Sequence, residues 1–388
     1  MTRRALVALA MLAACSPAPA RRIKAPTDSV LSEDEGGHLA HLYSELQDDI
    51  LTSYDRDEPP DLDTALIDRK VGTARIGAGP LDVYIADDLA HAPSRWPLTV
   101  DRATRTDVRS KQLVIQIAND QQAAWMSDEV SWRIELCGRT AVVPLRLSAL
   151  YAHDGDRWVP VFEHLSFGTA MAGAAVAIDP PAKPIKGEVV SRDLSDELSG
   201  VVGRGLFLQP RDAAVVAQDG NAIVIGPGAA DEWRGGHVLE AKLPTGRHED
   251  HRVGTVGRDP GAATVAYWIG NYLADPAPRA AGAPPPAGAP PPATPPGKIR
   301  MRVSYVFEKR CKAKGKDCRW MVVQSHMSQP ITDDELTRQV FGTALISQKP
   351  LALDCSESPR APASDPAKPT PRRAPAASPP VTRGPQTR

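Results

Sequence analysis

The stretch "RWVPVFEHLSFG", Arg157 to Gly168, returns in outline as "RWMVVQSHMSQP", Arg319 to Pro330: Arg-Trp, five residues, His, one residue, Ser. Both copies are rich in β-branched and apolar residues and read as strands. Strict alternation puts Trp158, Phe162, His164 and Ser166 on one face of the first, Val159, Val161, Glu163 and Leu165 on the other. It gives Trp320, His326 and Ser328 the same parity in the second. Extending the match backwards, Arg146, Ser148 and Tyr151 align with Arg302, Ser304 and Phe307, and "AAWMSDEV" from Ala123 aligns with "VAYWIGNY" from Val265. From Arg146 to Trp158 is 12 positions and from Arg302 to Trp320 is 18, so the second copy carries six extra residues at its hairpin tip. Where the first copy turns at Gly138, the second has "DPAPRAAGAPPPAGAPPPATPPG", Asp275 to Gly297. Composition alone makes that segment a domain border. The alignment makes it a long disordered hairpin loop inside a domain, tolerated because closure entropy rises slowly with length.

The chain of 388 residues is long enough for two domains, and its formal charge of -1 leaves no electrostatic footprint for nucleic acid. Its 38 prolines and 29 glycines are too many for compact structure throughout, so part of it is tether. "MTRR" supplies a positive start and "ALVALAMLAA" an apolar run of ten, too short to span a bilayer as a mature helix. "LAAC", Leu12 to Cys15, resembles the bacterial lipobox. The resemblance implies cleavage that leaves Cys15 first, carrying acyl chains such as palmitate that fix a soluble body to a membrane; an ordinary secretory signal with a coincidental cysteine is the alternative. Ser16, where the comparison associates aspartate with inner-membrane retention, favours the outer membrane of a bacterial cell envelope.

Setting Cys15 aside leaves Cys137, Cys311, Cys318 and Cys355, an even number that suggests bridges in an oxidising compartment. Cys311 and Cys318 enclose "KAKGKD", and a tight turn there sets them opposite each other on a hairpin. Their spacing as a metal site would need a second pair of ligands, and none lies nearby in the sequence. Cys137 with Cys355 follows by elimination only.

Periodicity divides the rest. The signal occupies 1–15 and a flexible tether 16–36; a first domain runs over 37–170, a linker over 171–194, and a second domain over 195–347 with the disordered insertion 275–297. The Pro/Ala/Arg-rich tail, 348–388, cannot bury enough apolar surface to fold. Leu39, Leu42, Tyr43, Leu46 and Ile50 predict an amphipathic helix over 37–54, and a shorter one is expected over Leu62–Arg69. Strands follow over 112–118, 123–137, 140–152 and 157–167. In the second half a short helix is expected over 193–206, a hairpin over 213–228 turning at Asp219-Gly220, and strands over 262–274, 298–311 and 318–329. Helices followed by long antiparallel strands make an α+β fold, a curved sheet with helices on one face.

Strand, turn and strand ending in W-x5-H-x-S resembles the closing hairpin of SnoaL-like domains of the nuclear-transport-factor-2-like superfamily. "VGTARIGAGPLDV" from Val71 and "VIGPGAADEWRGG" from Val224 are similar to the segment by which such domains pass from helices into the sheet. The resemblance spans roughly 40–170 and 195–347. It implies two cone-like domains, each a curved antiparallel sheet wrapped on helices around an apolar pocket, and a pairing of sheets that makes an intramolecular pseudo-dimer.

The candidate pocket residues are Trp158, His164, Ser166, Arg146, Trp320, His326, Ser328 and Arg302. As acids or bases, His164 and His326 would titrate in an apolar cone. As framework, they would bond neighbouring strands, the reading favoured because both copies keep the motif while their helical halves differ. Arg146 and Arg302 could take a carboxylate or pair with Glu135 and its counterpart, which is the expected arrangement. "HEDH", His248 to His251, reads as a solvated loop, and "HDGD", His153 to Asp156, as a turn. No metal, cofactor or nucleophilic triad is expected. The functional expectation is a lipid-anchored, non-catalytic module binding a small apolar ligand or a protein. The alternative is a cone-fold isomerase or hydratase working on a small apolar substrate in the first domain.

Overall fold

The computed structural model describes residues 33–56, 73–85, 103–136, 139–167, 185, 191–207, 211–220, 222–228, 230–257, 261–275, 298–313 and 316–331. The expected helix over Leu62–Arg69, Cys15, Cys137 and Cys355 lie outside them. Helix α1, Glu33–Arg56, packs Leu42, Leu46, Ile50 and Tyr54, one every fourth position, onto one sheet. That sheet comprises β1 (Ala74–Ile76), β2 (Val83–Ile85), β3 (Ala103–Ser110), β4 (Val114–Ile117), β5 (Ala123–Leu136), β6 (Arg139–His153) and β7 (Trp158–Phe167), ordered β2-β1-β7-β6-β5-β3 with β4 beside β5.

The second sheet comprises β8 (Ile223–Ile225), β9 (Glu232–Arg234), β10 (Gly246–Val256), β11 (Val265–Ala274), β12 (Ile299–Ala313) and β13 (Lys316–Ser328), with helix α2 (Arg192–Val202) supplying Leu198, Val201 and Val202 to its core. Its order, β9-β8-β13-β12-β11-β10, reproduces that of the first, including a short first strand parallel to the last, except that the single strand β10 runs along β11 where β3 and β4 share β5. Registers agree with the sequence alignment: Ala123 lies opposite Ala152, and Val265 opposite Glu308. Ala274 pairs with Ile299, so the Pro/Ala-rich segment joins adjacent strands of one sheet.

Three expectations of local structure change. Residues 213–218 do not form a hairpin with β8. Val216 instead makes a single parallel bridge to Val322, and β8 turns into β9. "HEDH" is no loop: it lies in β10, where a bulge between His248 and His251 breaks the alternation that would have marked a strand. In β7, Leu150 faces Phe162 but Tyr151 faces Pro160, which leaves Val161 as an extra residue. Pro160 lacks a ladder donor and is tolerated at such a bulge. Val323 is the extra residue at the matching place in β13. Each bulge inverts parity, so Trp158 turns to α1, where its Nε1 donates to Leu42 O (3.2 Å), while Phe162, His164 and Ser166 face the other way.

Each short first strand leaves through a Gly-x-Gly-x-x-Asp turn into the next strand. Gly77 N donates to Asp82 O and Gly226 N to Asp231 O, both at 2.7 Å, and the aspartate side chains accept from Gly79 N (2.8 Å) and Gly228 N (2.7 Å). A Cβ on Gly228 would stand 2.6 Å from Asp231 Oδ2, which requires the glycine. Gly228→Ala is therefore expected to cost about 2 kcal/mol. Gly36→Ala, whose Cβ would meet nothing within 4 Å, should instead stabilise α1 by about 0.5 kcal/mol, both read as shifts in the urea midpoint.

At the tip of the β12–β13 hairpin, Cys311 and Cys318 are directly opposed and joined as a disulfide. Closing so short a loop contributes about 2 kcal/mol in the chain-entropy account.

Candidate functional site

On each closing hairpin the register gathers four polar residues on one face. Arg146 lies opposite Ser166 and Ser148 opposite His164 in the first sheet; Arg302 lies opposite Ser328 and Ser304 opposite His326 in the second. The two faces meet. His164 Nδ1 bonds Ser304 Oγ (2.9 Å) and its Nε2 bonds Ser328 Oγ (2.8 Å). His326 Nδ1 bonds Ser148 Oγ and its Nε2 bonds Ser166 Oγ, both at 2.8 Å. The imidazoles stack on each other with centroids 3.9 Å apart and planes 18° apart. Each neutral ring donates through one nitrogen and accepts through the other, and a serine hydroxyl can do either, so all four bonds are satisfied without charge.

The arginines repeat the exchange. Arg146 donates from Nη1 to Gly228 O in the second half's glycine turn and from Nη2 to Phe167 O, both at 3.0 Å. Arg302 donates from Nη2 to Pro80 O in the first half's turn and from Nη1 to Asn271 Oδ1. The expected pairing of Arg146 with Glu135 is against the register, which sets Glu129 opposite Arg146 and Thr140 opposite Glu135. Phe162 against Tyr267, Glu308 accepting from Asn119 N (3.0 Å) and Gln324 Nε2 donating to Met126 O (2.8 Å) add to the contact between sheets.

Both histidines are fully buried. Burial, then the charges of Arg302 and Arg146, hold His164 down to about 3. Burial, followed by His164 and Arg146, holds His326 well below the usual range. Both rings bond side chains of the other sheet, not those of their own half's helix. Trp320, opposite Lys309, lies on the face of β13 turned away from His326.

Two groups with chemistry lie elsewhere. Behind the first sheet, Asp128 accepts from Tyr54 Oη and Gln112 N, both at 3.0 Å; its burial raises the carboxyl pKa despite these bonds. Behind the second sheet, His248 Nε2 bonds Tyr305 Oη (3.0 Å) among the rings of Trp268 (4.7 Å), Tyr272 (5.1 Å) and Phe207 (5.8 Å). Burial, then His251, takes His248 down to about 4. His251 packs on the same Trp268 and meets Ser195 Oγ at 3.2 Å. His248 and Phe207 are only half-buried, which leaves this cluster an accessible rim. Its signal in sequence is the His-x-x-His spacing, hidden by the bulge. Among the described residues no group of three or more His, Cys, Asp or Glu is placed to hold a metal ion.

No protein-family model and no curated protein matches the sequence. Among solved structures, the chain is similar to a nuclear-transport-factor-2-like family member from Streptomyces avermitilis (11% identity, 33% of this chain and 97% of that one, TM-score 0.26). It is also similar to a superfamily protein from Salmonella enterica serovar Typhimurium (17% identity, 33% and 92%, TM-score 0.27). A third likeness is to the CamKII hub homology domain of Chlamydomonas reinhardtii (12% identity, 34% and 97%, TM-score 0.23).

Proposed function

We propose that the chain is a lipid-anchored envelope protein made of two nuclear-transport-factor-2-like halves joined back to back as an intramolecular pseudo-dimer. It acts as a non-catalytic module that holds a small apolar ligand against the aromatic face of its C-terminal half. The observation that carries the binding role is the half-buried pair His248 and Phe207 packed over the buried rings of Trp268, Tyr272 and Tyr305, an aromatic rim with one polar anchor. The reciprocal His–Ser bonds support the pseudo-dimer, and they occupy the groups on which catalysis by His164 would depend. An isomerase or hydratase in the first half would have to work through Asp128 and Tyr54 instead. Saturable enhancement of 1-anilinonaphthalene-8-sulfonate emission, with energy transfer from tryptophan and loss in Phe207→Ala, is the expected result. An unsaturable response, or one unchanged in that variant, contradicts the binding reading.

The anchor rests on Cys15 and the apolar run before it. Wild-type protein should partition into the detergent phase of a bacterial extract, and Cys15→Ala should move it to the aqueous phase. Continued detergent partitioning of the variant would sink the anchor.

A further inference from the structure

The β12–β13 hairpin outgrows its sheet. β11 pairs with β12 as far as Glu308, with one further bond from Lys309 N to Thr264 O, and β13 is flanked by β8 over Gln324–His326 and by Val216 at Val322, so Arg310–Ala313 and Lys316–Arg319 project as two strands. An isolated two-stranded ribbon is marginal in water, and the Cys311–Cys318 disulfide ties this one at directly opposed positions. The projection is basic. Arg310 is held by Glu308 and Asp219. Lys309, Lys312, Lys316 and Arg319 have no acidic partner among the described residues; the three lysines are exposed, and Lys309 Nζ lies 5.6 Å from the Trp320 ring centroid. The corresponding tip of the first half is short and acidic: Asp154 accepts from Asp156 N and Arg157 N, both at 3.1 Å. Closing a sheet needs only that short turn. Six extra residues, a staple and four cations without an acidic partner among the described residues, against the single carboxylate of Asp317, make an electropositive prong in a chain of net charge -1.

We infer that this stapled hairpin docks on the phosphate groups of an anionic lipid surface. The inference rests on the anchored reading, because an acyl tether at Cys15 would hold the prong at high effective concentration beside a bilayer. Each basic residue near such a surface contributes attraction that salt screens. The test uses residues 16–388, which hold every described residue and lack Cys15, so it can fail independently of the anchor. Co-sedimentation with vesicles of equimolar phosphatidylcholine and phosphatidylglycerol is expected, weakening with salt, with little on phosphatidylcholine alone. Charge reversal as Lys312→Glu, Lys316→Glu and Arg319→Glu together should reduce the partition coefficient at least roughly tenfold. These are surface positions, and an unchanged urea midpoint would show that the variant folds. The basic residues of the C-terminal tail are present in both chains, so the difference reads the hairpin alone. Equal binding by the reversed variant, or equal binding of wild type to neutral vesicles, would overturn the inference. Hairpin-dependent retention on heparin with none on vesicles would overturn it in favour of an anionic polymer.

Discussion

His164→Ala should lower the unfolding free energy by about 4 kcal/mol, because it leaves two buried hydroxyls unpaired and opens a void beside a stacked ring. The hydroxyls are Ser304 and Ser328, 140 and 164 positions away, and the ring is that of His326. Urea unfolding of the variant gives the number, and a drop below about 1 kcal/mol would mean that the seam adds little to stability. His326→Ala should behave alike through Ser148 and Ser166. Either change removes half of one reciprocal unit, so the loss falls on the joint between the sheets as well as on the residue's own half.

The second large effect is acid lability. His164 is held neutral down to about 3 in the folded chain, whereas an unfolded histidine titrates near 6.5. A folded pKa below the unfolded one means that the unfolded chain takes up more protons through that window. Stability is therefore complete above about 6.5 and falls as pH drops towards 3, by about 4 kcal/mol for His164 at the lower end. His326 adds to the fall in the same direction, for the same first cause, burial. Among the described residues the rings bond four serines and feel the cations Arg146 and Arg302, and the carboxylate of Asp250 is reached only through Asn271 and Arg302, so neither ring bonds a carboxylate that would take up the incoming charge. Asp128, whose carboxyl is raised by burial, acts in the opposite sense at the acid end. Urea midpoints should fall steadily from pH 7 to pH 4 in the wild type and more gently in His164→Ala/His326→Ala.

The repeat was legible because hairpin register travels with sequence spacing: the six-residue offset at the tip, the Asp275–Gly297 connection and the Cys311–Cys318 bridge all follow from counting positions. Helix α1 was legible from its apolar period. The faces were harder to read. Val161 and Val323 each add one residue to a strand, and a strand's parity beyond a bulge cannot be counted without knowing where the bulge lies. Strict alternation therefore groups Trp158 with His164, although it belongs to the helix side, and the bulge in β10 hides His248 in the same way. The partner of each motif lay beyond reach as well. That His164 bonds Ser304 and Ser328 depends on which face of one sheet meets which face of the other, and alternation within a strand carries no information about that. The two copies of the motif explain each other: each histidine is kept because the other half's serines need it.

The most direct test of this account is a double-mutant cycle between His164→Ala and Ser328→Ala, residues on different sheets joined by a 2.8 Å bond. The reciprocal seam predicts a coupling of at least about 1 kcal/mol in urea unfolding, since the second change removes a hydroxyl that the first has already orphaned. Additivity within about 0.5 kcal/mol would mean that the two strands do not meet, and would contradict the seam.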